Sequence, residues 1–202
     1  MNLRLNQDIL DLFCNKLWWV ESSMVMRVLS AESTATTNLA AALRYLCKKR
    51  LLELHVVNCS DSLTHEPIVT SQSDSSTDDN SRNLKTDWQT LTTQIRSVWQ
   101  PTQFYCASRI TAGLFGVKYS QPSSVLEWYA HRRMANAFLH YVGSSDTNRH
   151  CWHAVELTAV QPNVLLASFQ STLICVPFEV NQRLFDRILG RIKRTGFKYE
   201  VW

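Results

Sequence analysis

Residues 36–50 combine hydrogen-bonding and basic side chains at the spacing of one amphipathic helix. Its buried face is predicted by apolar residues at three- and four-residue intervals, namely Leu39, Ala42, Leu43 and Leu46. The outward face then carries amide, hydroxyl, phenol and cationic groups from Thr37, Asn38, Arg44, Tyr45, Lys48, Lys49 and Arg50. Such groups can hydrogen-bond to base edges and to phosphates. These residues are therefore predicted to contact double-stranded DNA.

The same helix has two other interpretations. Polar and charged side chains cover the solvent face of many helices that bind nothing, and helix-turn-helix units also serve as protein–protein modules. A base-reading role would depend chiefly on Arg44, because arginine can make a bidentate contact to guanine. Lys48, Lys49 and Arg50 would instead add affinity through phosphates, without conveying sequence information.

A second basic set lies near the C-terminus. Its arginines recur at intervals of four, four and three residues and form one stripe on a predicted helix, as Arg183, Arg187, Arg191 and Arg194. Lys193 adds a cation, and Asp186 is the single acidic residue among them. The stripe is interpreted either as a solvated face or as a surface that follows phosphates.

Other chemistry-bearing patterns are weaker. The segment His150-Cys151-x-His153 holds three potential zinc ligands, but no partner pair accompanies it, so no metal ion is predicted. The run His131-Arg132-Arg133 is predicted to be a surface patch on a long helix, with phosphate contact as the alternative. There is no Gly-x-Ser-x-Gly motif, and only five glycines are available for a phosphate loop. No cofactor is expected.

The elements that would position the N-terminal residues follow a helix–helix–helix–strand–strand order. Helices are predicted over 8–17, from Ser22 or Ser23, and from Thr36 or Thr37, with strands over 51–57 and 103–107. A further amphipathic helix over 84–98, ended by Pro101, lies between the strands. Three helices followed by two paired strands predict a winged helix-turn-helix domain over residues 1–119.

Residues 58–86 interrupt this domain between its two strands. They contain no Phe, Trp or Tyr, and residues 71–81 are almost entirely serine, threonine, aspartate, asparagine and glutamine. Such a segment cannot bury enough apolar surface to offset its ordering entropy. It is predicted to be a flexible, acidic insertion in the wing.

Residues 120–202 are predicted to form a second unit with the element order α-β-β-β-α-β. A helix capped by Ser123 or Ser124 is followed by strands over 152–158, 164–169 and 172–178. Asn181 is predicted to cap the next helix and Gly196 to end it, before a strand over 197–202. The whole chain is thus predicted to be α+β.

Composition sets wider bounds. A net charge of +4 and a pI near 8.8 permit nucleic-acid binding without demanding it. The six cysteines are scattered and include no Cys-x-x-Cys pair, which favours reduced thiols in the cytoplasm. No secretory signal is visible, and no run approaches the ~18 apolar residues of a membrane span. A cytoplasmic location without membrane attachment is expected.

Three stretches resemble the replication-relaxation family of plasmid and mobile-element proteins. They are a strand, turn and short helix over residues 104–116, the helix segment 128–133 containing His131, and the pair Gln161-Pro162-Asn163 and Phe178-Glu179-Val180-Asn181. The similarity covers most of the chain. It implies a winged helix joined to a restriction-endonuclease-like core.

Nucleases with that core carry Pro-Asp and Glu-x-Lys where this chain has Asn163, Glu179 and Asn181. An amide oxygen is neutral and binds Mg²⁺ far less well than a carboxylate, and asparagine cannot supply the ammonium group of lysine. Glu179, even with Glu127 from the long helix, makes a poor metal site. The resemblance therefore implies a pseudo-nuclease, a core that has lost its chemistry.

The residues predict a DNA-binding protein rather than an enzyme, and the resemblance implies that it belongs to a mobile element. It would act in transcriptional regulation, replication or the assembly of a DNA transfer or transposition complex, where the roles in replication, transfer and transposition are implied by the resemblance. A homodimer that reads paired half-sites, or a larger nucleoprotein complex, fits this interpretation. Two alternatives stay open: a metal-dependent DNA nuclease, and a protein–protein adaptor that does not bind DNA.

Overall fold

The computed structural model describes residues 3–32, 38–60, 66–70, 99–119, 121–143, 152–154, 164–178 and 181–202. In the first half, helix α1 (Leu3–Asp11) continues into a π-helical turn (Leu12–Lys16), followed by β1 (Trp19–Glu21), α2 (Ser22–Glu32) and α3 (Leu39–Lys48). Then come β2 (Leu52–Ser60), β3 (Val69–Thr70), β4 (Trp99–Ala107) and α4 (Arg109–Phe115).

The second half begins with the long helix α5 (Val125–Gly143). It is followed by β5 (Trp152–Ala154), β6 (Val164–Phe169), β7 (Thr172–Pro177), α6 (Gln182–Arg194) and β8 (Lys198–Val201). The described chain is therefore mixed α+β with two sheets, which confirms the predicted class. Among the described helices, none has the length and apolar character needed to cross a membrane.

The first sheet has three antiparallel strands in the order β1-β4-β2. The pairing of β2 with β4 runs from Leu52 opposite Ala107 to Ser60 opposite Trp99. Because side chains alternate along a strand, the two faces bury different residues. Val20, Leu52 and Ala107 share a core with the buried faces of α1, α2 and α3, whereas Trp19, Phe104 and Cys106 belong to a second cluster.

The second sheet has the order β3-β8-β7-β6-β5. Strands β5, β6 and β7 form an antiparallel meander, whose tight turn places Gln170 at φ 52°, and β8 lies parallel to β7. Helix α5 packs against the face that carries Ala167, Ile174 and Val176, and α6 packs against the face of Leu173 and Cys175. The sheet therefore lies between two helices.

Helix α5 is buried on nearly all sides, from Trp128 to Phe138. It contacts α2, β1 and β2 on one side and β6 and β7 on the other. The prediction that His131, Arg132 and Arg133 form a surface patch is therefore wrong. The charges of Arg132 and Arg133 are tolerated because carboxylate and backbone oxygens far away in the sequence meet them inside the fold.

Part of the predicted flexible insertion forms β-strand. Residues 58–60 belong to β2, and Val69 and Thr70 pair with Val201 and Glu200 at the edge of the second sheet. The Ile68 N–H donates to the Val201 carbonyl at 2.6 Å, so a short apolar segment within the polar stretch finds a strand partner. Residues 71–98, with the predicted helix over 84–98, lie outside the described residues, as do residues 155–158 of the predicted strand.

Two helix starts also differ from the prediction. The first helix begins at Leu3 rather than residue 8, because Leu5 and Ile9 continue the apolar face toward the N-terminus. Residues 33–37, which include the predicted caps Thr36 and Thr37, lie outside the described residues, and α3 begins directly after Asn38. Strand β1 has three residues and was not predicted.

Candidate nucleic-acid interface

Helix α3 buries the apolar residues that its spacing predicted. Leu39, Ala42, Leu43 and Leu46 all lie in the N-terminal core, and this part of the prediction is confirmed. Most of the other side chains face solvent: Asn38, Arg44, Lys48, Lys49 and Arg50 are exposed, as are the small residues Ala40 and Ala41, whereas Tyr45 and Cys47 are half-buried. Small residues would let another molecule approach the helix backbone closely.

Asn38 precedes the first residue of α3, but its amide side chain does not cap the helix. Asn38 adopts a left-handed conformation at φ 76°, and its side chain makes no capping hydrogen bond to the helix. Asparagine tolerates that conformation better than most residues. Its exposed amide is therefore free of the helix backbone and available to hydrogen-bond to another molecule. Thr37, the other short polar residue predicted here, lies outside the described residues.

Arg44 and Tyr45 differ in their surroundings. Arg44 is exposed and close enough to Tyr105 of β4 to oppose the rise in that phenol's pKa, which burial causes first and Cys47 increases. Tyr45 is half-buried against the core, and the Lys49 ammonium lies 5.8 Å from its ring centroid. Tyr45 thus supports a lysine, whereas the Arg44 guanidinium faces outward.

The C-terminal end of α3 gathers its cations. Arg50 has a left-handed backbone at φ 57°, and the Leu51 N–H donates to the Leu46 carbonyl at 2.9 Å, which closes the helix. Lys48, Lys49 and Arg50 are all exposed there, and residues 38–50 contain no carboxylate. Cations are favourable near the partial negative charge of a helix C-terminus. The result is an exposed cationic end, suited to phosphates.

Helix α6 displays the predicted basic stripe. Phe185, Ile188, Leu189 and Ile192 are buried, and the opposite face exposes Arg183, Arg187, Arg191 and Arg194. The Arg194 Nε–H donates to the Gly190 carbonyl at 3.1 Å, so this guanidinium is held along the helix. The arrangement is a second cationic surface, which fits either a solvated face or phosphate contacts.

Two of the four residues that the resemblance places at nuclease positions, Asn181 and Glu127, take part in capping the N-termini of helices. The Asn181 Oδ1 accepts hydrogen bonds from the N–H groups of Arg183 at 3.0 Å and Leu184 at 3.4 Å. Glu127 accepts the Ser123 N–H at 2.6 Å, while Ser124 Oγ accepts the Glu127 N–H at 3.2 Å. Ser124 thus caps α5, and Glu127 in its first turn accepts from the residue before the cap, a variant of the capping box.

The remaining two positions, Asn163 and Glu179, lie outside the described residues. The same holds for His150 and Cys151 of the possible zinc ligands, whereas His153 is described and exposed on β5.

The sequence did not point to a polar cluster on the other face of the first sheet. Glu53 Oε2 lies 3.2 Å from His55 Nε2 and accepts the Tyr119 hydroxyl at 3.0 Å. Cys106 lies next to them, on the strand paired with β2. Burial and the hydrogen bond to Glu53 raise the pKa of Tyr119 to about 12, so its proton stays on the phenol. The Glu-x-His spacing was the only sequence signal for this cluster.

Comparison with known proteins gives no match: no protein-family model, no curated protein and no solved structure is similar to the chain at a significant level. Function is therefore argued from the residues of the chain itself.

Proposed function

We propose that this chain binds double-stranded DNA, with α3 entering the major groove. The observation that carries the proposal is the two-sided character of α3. Its apolar side is buried in the N-terminal core, and its exposed side offers Asn38, Arg44 and a cationic end without any carboxylate between residues 38 and 50. A duplex supplies both partners that this face suits, base edges and phosphates.

The N-terminal half is proposed to be a winged helix. Support comes from the order α1-β1-α2-α3-β2-β4 and from β4 lying between β1 and β2 in an antiparallel sheet. In this arrangement α3 would be the recognition helix, packed against β2, whose pairing with β4 would form the base of the wing.

The C-terminal half is proposed to be a restriction-endonuclease-like core used for structure or binding. An antiparallel meander β5-β6-β7, a crossover through α6 and the parallel pairing of β8 with β7 support this assignment. Asn181, at the position of the nuclease lysine, caps a helix instead. We propose on this basis a DNA-binding role without cleavage, in transcriptional regulation, replication or assembly of a transfer or transposition complex.

The first experiment is fluorescence anisotropy with a labelled random-sequence duplex at two salt concentrations. Binding should weaken as salt rises, because bound cations release counterions from the phosphates. Lys48→Ala should lower affinity for every duplex and reduce the slope of log K against log salt by about 1. Lys198→Ala, which removes an exposed lysine from β8, is the matched control and should behave as wild type. Absence of binding at low salt would overturn the proposal and favour the adaptor interpretation.

A second experiment tests base reading. After selection of a preferred duplex from a random pool, Arg44→Ala should weaken binding to that duplex by about 1–3 kcal/mol and affect random duplexes much less. An equal loss on all sequences would show that Arg44 contacts only phosphate.

The order of strands in the second sheet also favours one alternative, a metal-dependent nuclease. Nicking of supercoiled DNA with Mg²⁺ or Mn²⁺ should then be present in the wild type and disappear in Glu179→Gln. Nicking that survives in Glu179→Gln would identify a contaminant.

A further inference from the structure

Two adjacent strands bring together three side chains that differ in chemistry. Glu53 and His55 are two residues apart on β2 and point to the same face, and Cys106 is paired directly opposite Glu53 on β4. One ligating atom from each side chain, a carboxylate oxygen, an imidazole nitrogen and the thiol sulfur, can be chosen so that all lie within 4.8 Å of one another. Glu53 also lines a pocket with Cys47 and Arg50 at the C-terminal end of α3, so the cluster lies beside that end of the helix.

We propose that Glu53, His55 and Cys106 bind a zinc ion. Thiolate, imidazole and carboxylate are the usual protein ligands of Zn²⁺, whereas Mg²⁺ and Ca²⁺ take oxygen ligands only. Ligand atoms around a tetrahedral zinc ion lie roughly 3.3–3.7 Å apart, as follows from bond lengths of about 2.0–2.3 Å. The 3.2 Å separation of His55 Nε2 and Glu53 Oε2 is already close to this value.

A small cavity adjoins the cysteine side of the cluster. Its volume of about 30 Å³ is enough for one water molecule, and Cys106 and Tyr119 line it, whereas Glu53 and His55 do not. The Tyr119 hydroxyl donates to Glu53 Oε2 at 3.0 Å and would orient the carboxylate. Three protein ligands with a water in the fourth position form a common zinc geometry.

Aromatic rings fix the imidazole. The ring of His55 meets Trp19 edge to face at 5.1 Å between centroids and lies 5.8 Å from Trp128 of α5. Cys106 is buried, but the side chains of His55 and Glu53 keep 23% and 38% of their exposure, which gives an ion a route from solvent. Burial raises the pKa of the Cys106 thiol, and a bound cation would offset this by stabilising the thiolate; the displaced proton goes to solvent.

The competing explanation is a metal-free hydrogen-bond network of Tyr119, Glu53 and His55 beside a neutral thiol. Cobalt separates the two. Chelator-treated, reduced protein titrated with Co²⁺ should develop a thiolate-to-cobalt charge-transfer band in the near ultraviolet and the visible bands of a tetrahedral ion. Both should saturate at one ion per chain and disappear when Zn²⁺ is added. Folded wild-type protein without the charge-transfer band would overturn the proposal.

Variants assign the ligands. Cys106→Ala should abolish the charge-transfer band, and Glu53→Gln and His55→Gln should each weaken cobalt binding roughly tenfold or more. Matched controls are Cys59→Ala, a buried thiol on β2, the strand of Glu53 and His55, and His153→Ala, which belongs to the other group of potential ligands. Both controls should bind as wild type does, and loss of the band in His153→Ala would overturn the assignment.

Thermal unfolding with and without Zn²⁺ tests the proposal even if Cys106→Ala does not fold. Zn²⁺ should raise the Tm of the wild type, because an ion bound only by the native state stabilises it by mass action. The rise should be smaller in Glu53→Gln and His55→Gln, which alter partly exposed side chains. Equal rises in wild type and both variants would contradict the proposal.

Discussion

At the scale of residues, the centre of the molecule depends on two neighbouring arginines. Arg132 Nε lies 2.5 Å from Glu21 Oε2, and its Nη1 donates to the Ser60 carbonyl. Arg133 donates to the carbonyls of Trp202, at 2.8 Å, and Pro177, and its guanidinium lies 5.2 Å from the Tyr129 ring centroid. Burial lowers the pKa of Arg133 to about 10, which leaves it charged at neutral pH. Both guanidinium groups lose their hydrating water on burial, and carboxylate or backbone oxygens at the ends of strands interact with them in its place.

We expect Arg133→Met to destabilise the protein by roughly 2–5 kcal/mol. The aliphatic replacement keeps much of the volume but leaves the buried carbonyls of Pro177 and Trp202 without a donor, at about 1–3 kcal/mol each. Urea unfolding followed by circular dichroism measures the loss. The matched control, Arg187→Met on the exposed face of α6, should stay within about 0.5 kcal/mol of wild type. Equal effects of the two substitutions would contradict this role.

The buried His131 is expected to lower the free energy of unfolding at acid pH. Burial lowers its pKa from 6.5 to about 3, so between these values the unfolded chain binds a proton that the folded chain does not. Its contribution is fully present above pH 6.5 and is lost as pH falls, by about 1.4 kcal/mol per pH unit. Lowering the pH from 7 to 5 should therefore cost wild type about 2 kcal/mol more than it costs His131→Gln.

Urea unfolding at the two pH values tests this expectation. The exposed His153→Gln variant provides the control and should lose as much stability as wild type between pH 7 and pH 5. If His131→Gln also loses as much as wild type, the buried imidazole is not the source of the acid sensitivity.

At the scale of elements, helices with one apolar face were the easiest to predict. The buried residues of α3 and α6 follow directly from three- and four-residue spacing, and Asn181 and Ser124 mark helix starts by capping. Helix α5 was misjudged because the acceptors of its arginines lie at Ser60, Pro177 and Trp202, and no local pattern reveals them. Short strands such as β1 carry too few residues for a periodic signal.

The candidate sites divide in the same way. The exposed face of α3 lies within one helix, so the three- and four-residue spacing of the apolar residues is enough to predict which side chains form it. The cluster of Glu53, His55 and Cys106 requires the register of β2 against β4, which joins residues about fifty positions apart. Only the Glu-x-His half is visible in the sequence, and its cysteine could not be assigned.

Capping of α6 gives a prediction for Asn181. Asn181→Ala should cost about 1 kcal/mol, because the N–H groups of Arg183 and Leu184 lose the oxygen they donate to. Asn181→Asp keeps an acceptor and should stay close to wild type. Thermal unfolding of the three proteins gives the comparison, and equal Tm values for wild type and Asn181→Ala would contradict the capping role.

At the scale of the whole molecule, one continuous core links the two sheets. A single cluster of buried residues includes Ile9 and Leu46 from the first helices, Phe138 from α5 and Ile174 from β7. The boundary predicted between residues 119 and 120 falls between α4 and α5, yet α5 completes the cores on both sides of it. The halves share a helix, so neither is expected to fold fully without it.

We therefore expect a single cooperative unfolding transition. Differential scanning calorimetry should give one peak whose calorimetric and van't Hoff enthalpies agree. A fragment of residues 1–119 should lack a cooperative transition, since it would expose Trp19 and Phe104, which Trp128 covers in the full chain. Two separate peaks for the intact protein would show that the halves are independent.

The adjacency of Arg132 and Arg133 has a mechanical consequence. Consecutive residues of an α-helix project about 100° apart, because one turn takes 3.6 residues. The Arg132 guanidinium hydrogen-bonds to the end of β2, and the Arg133 guanidinium hydrogen-bonds to the ends of β7 and β8. Helix α5 is therefore attached to both sheets through adjacent side chains. Neither sheet can swivel about α5 without breaking a charged hydrogen bond. Rotation of one sheet relative to the other is therefore expected to be opposed by charged hydrogen bonds at both ends of this arginine pair.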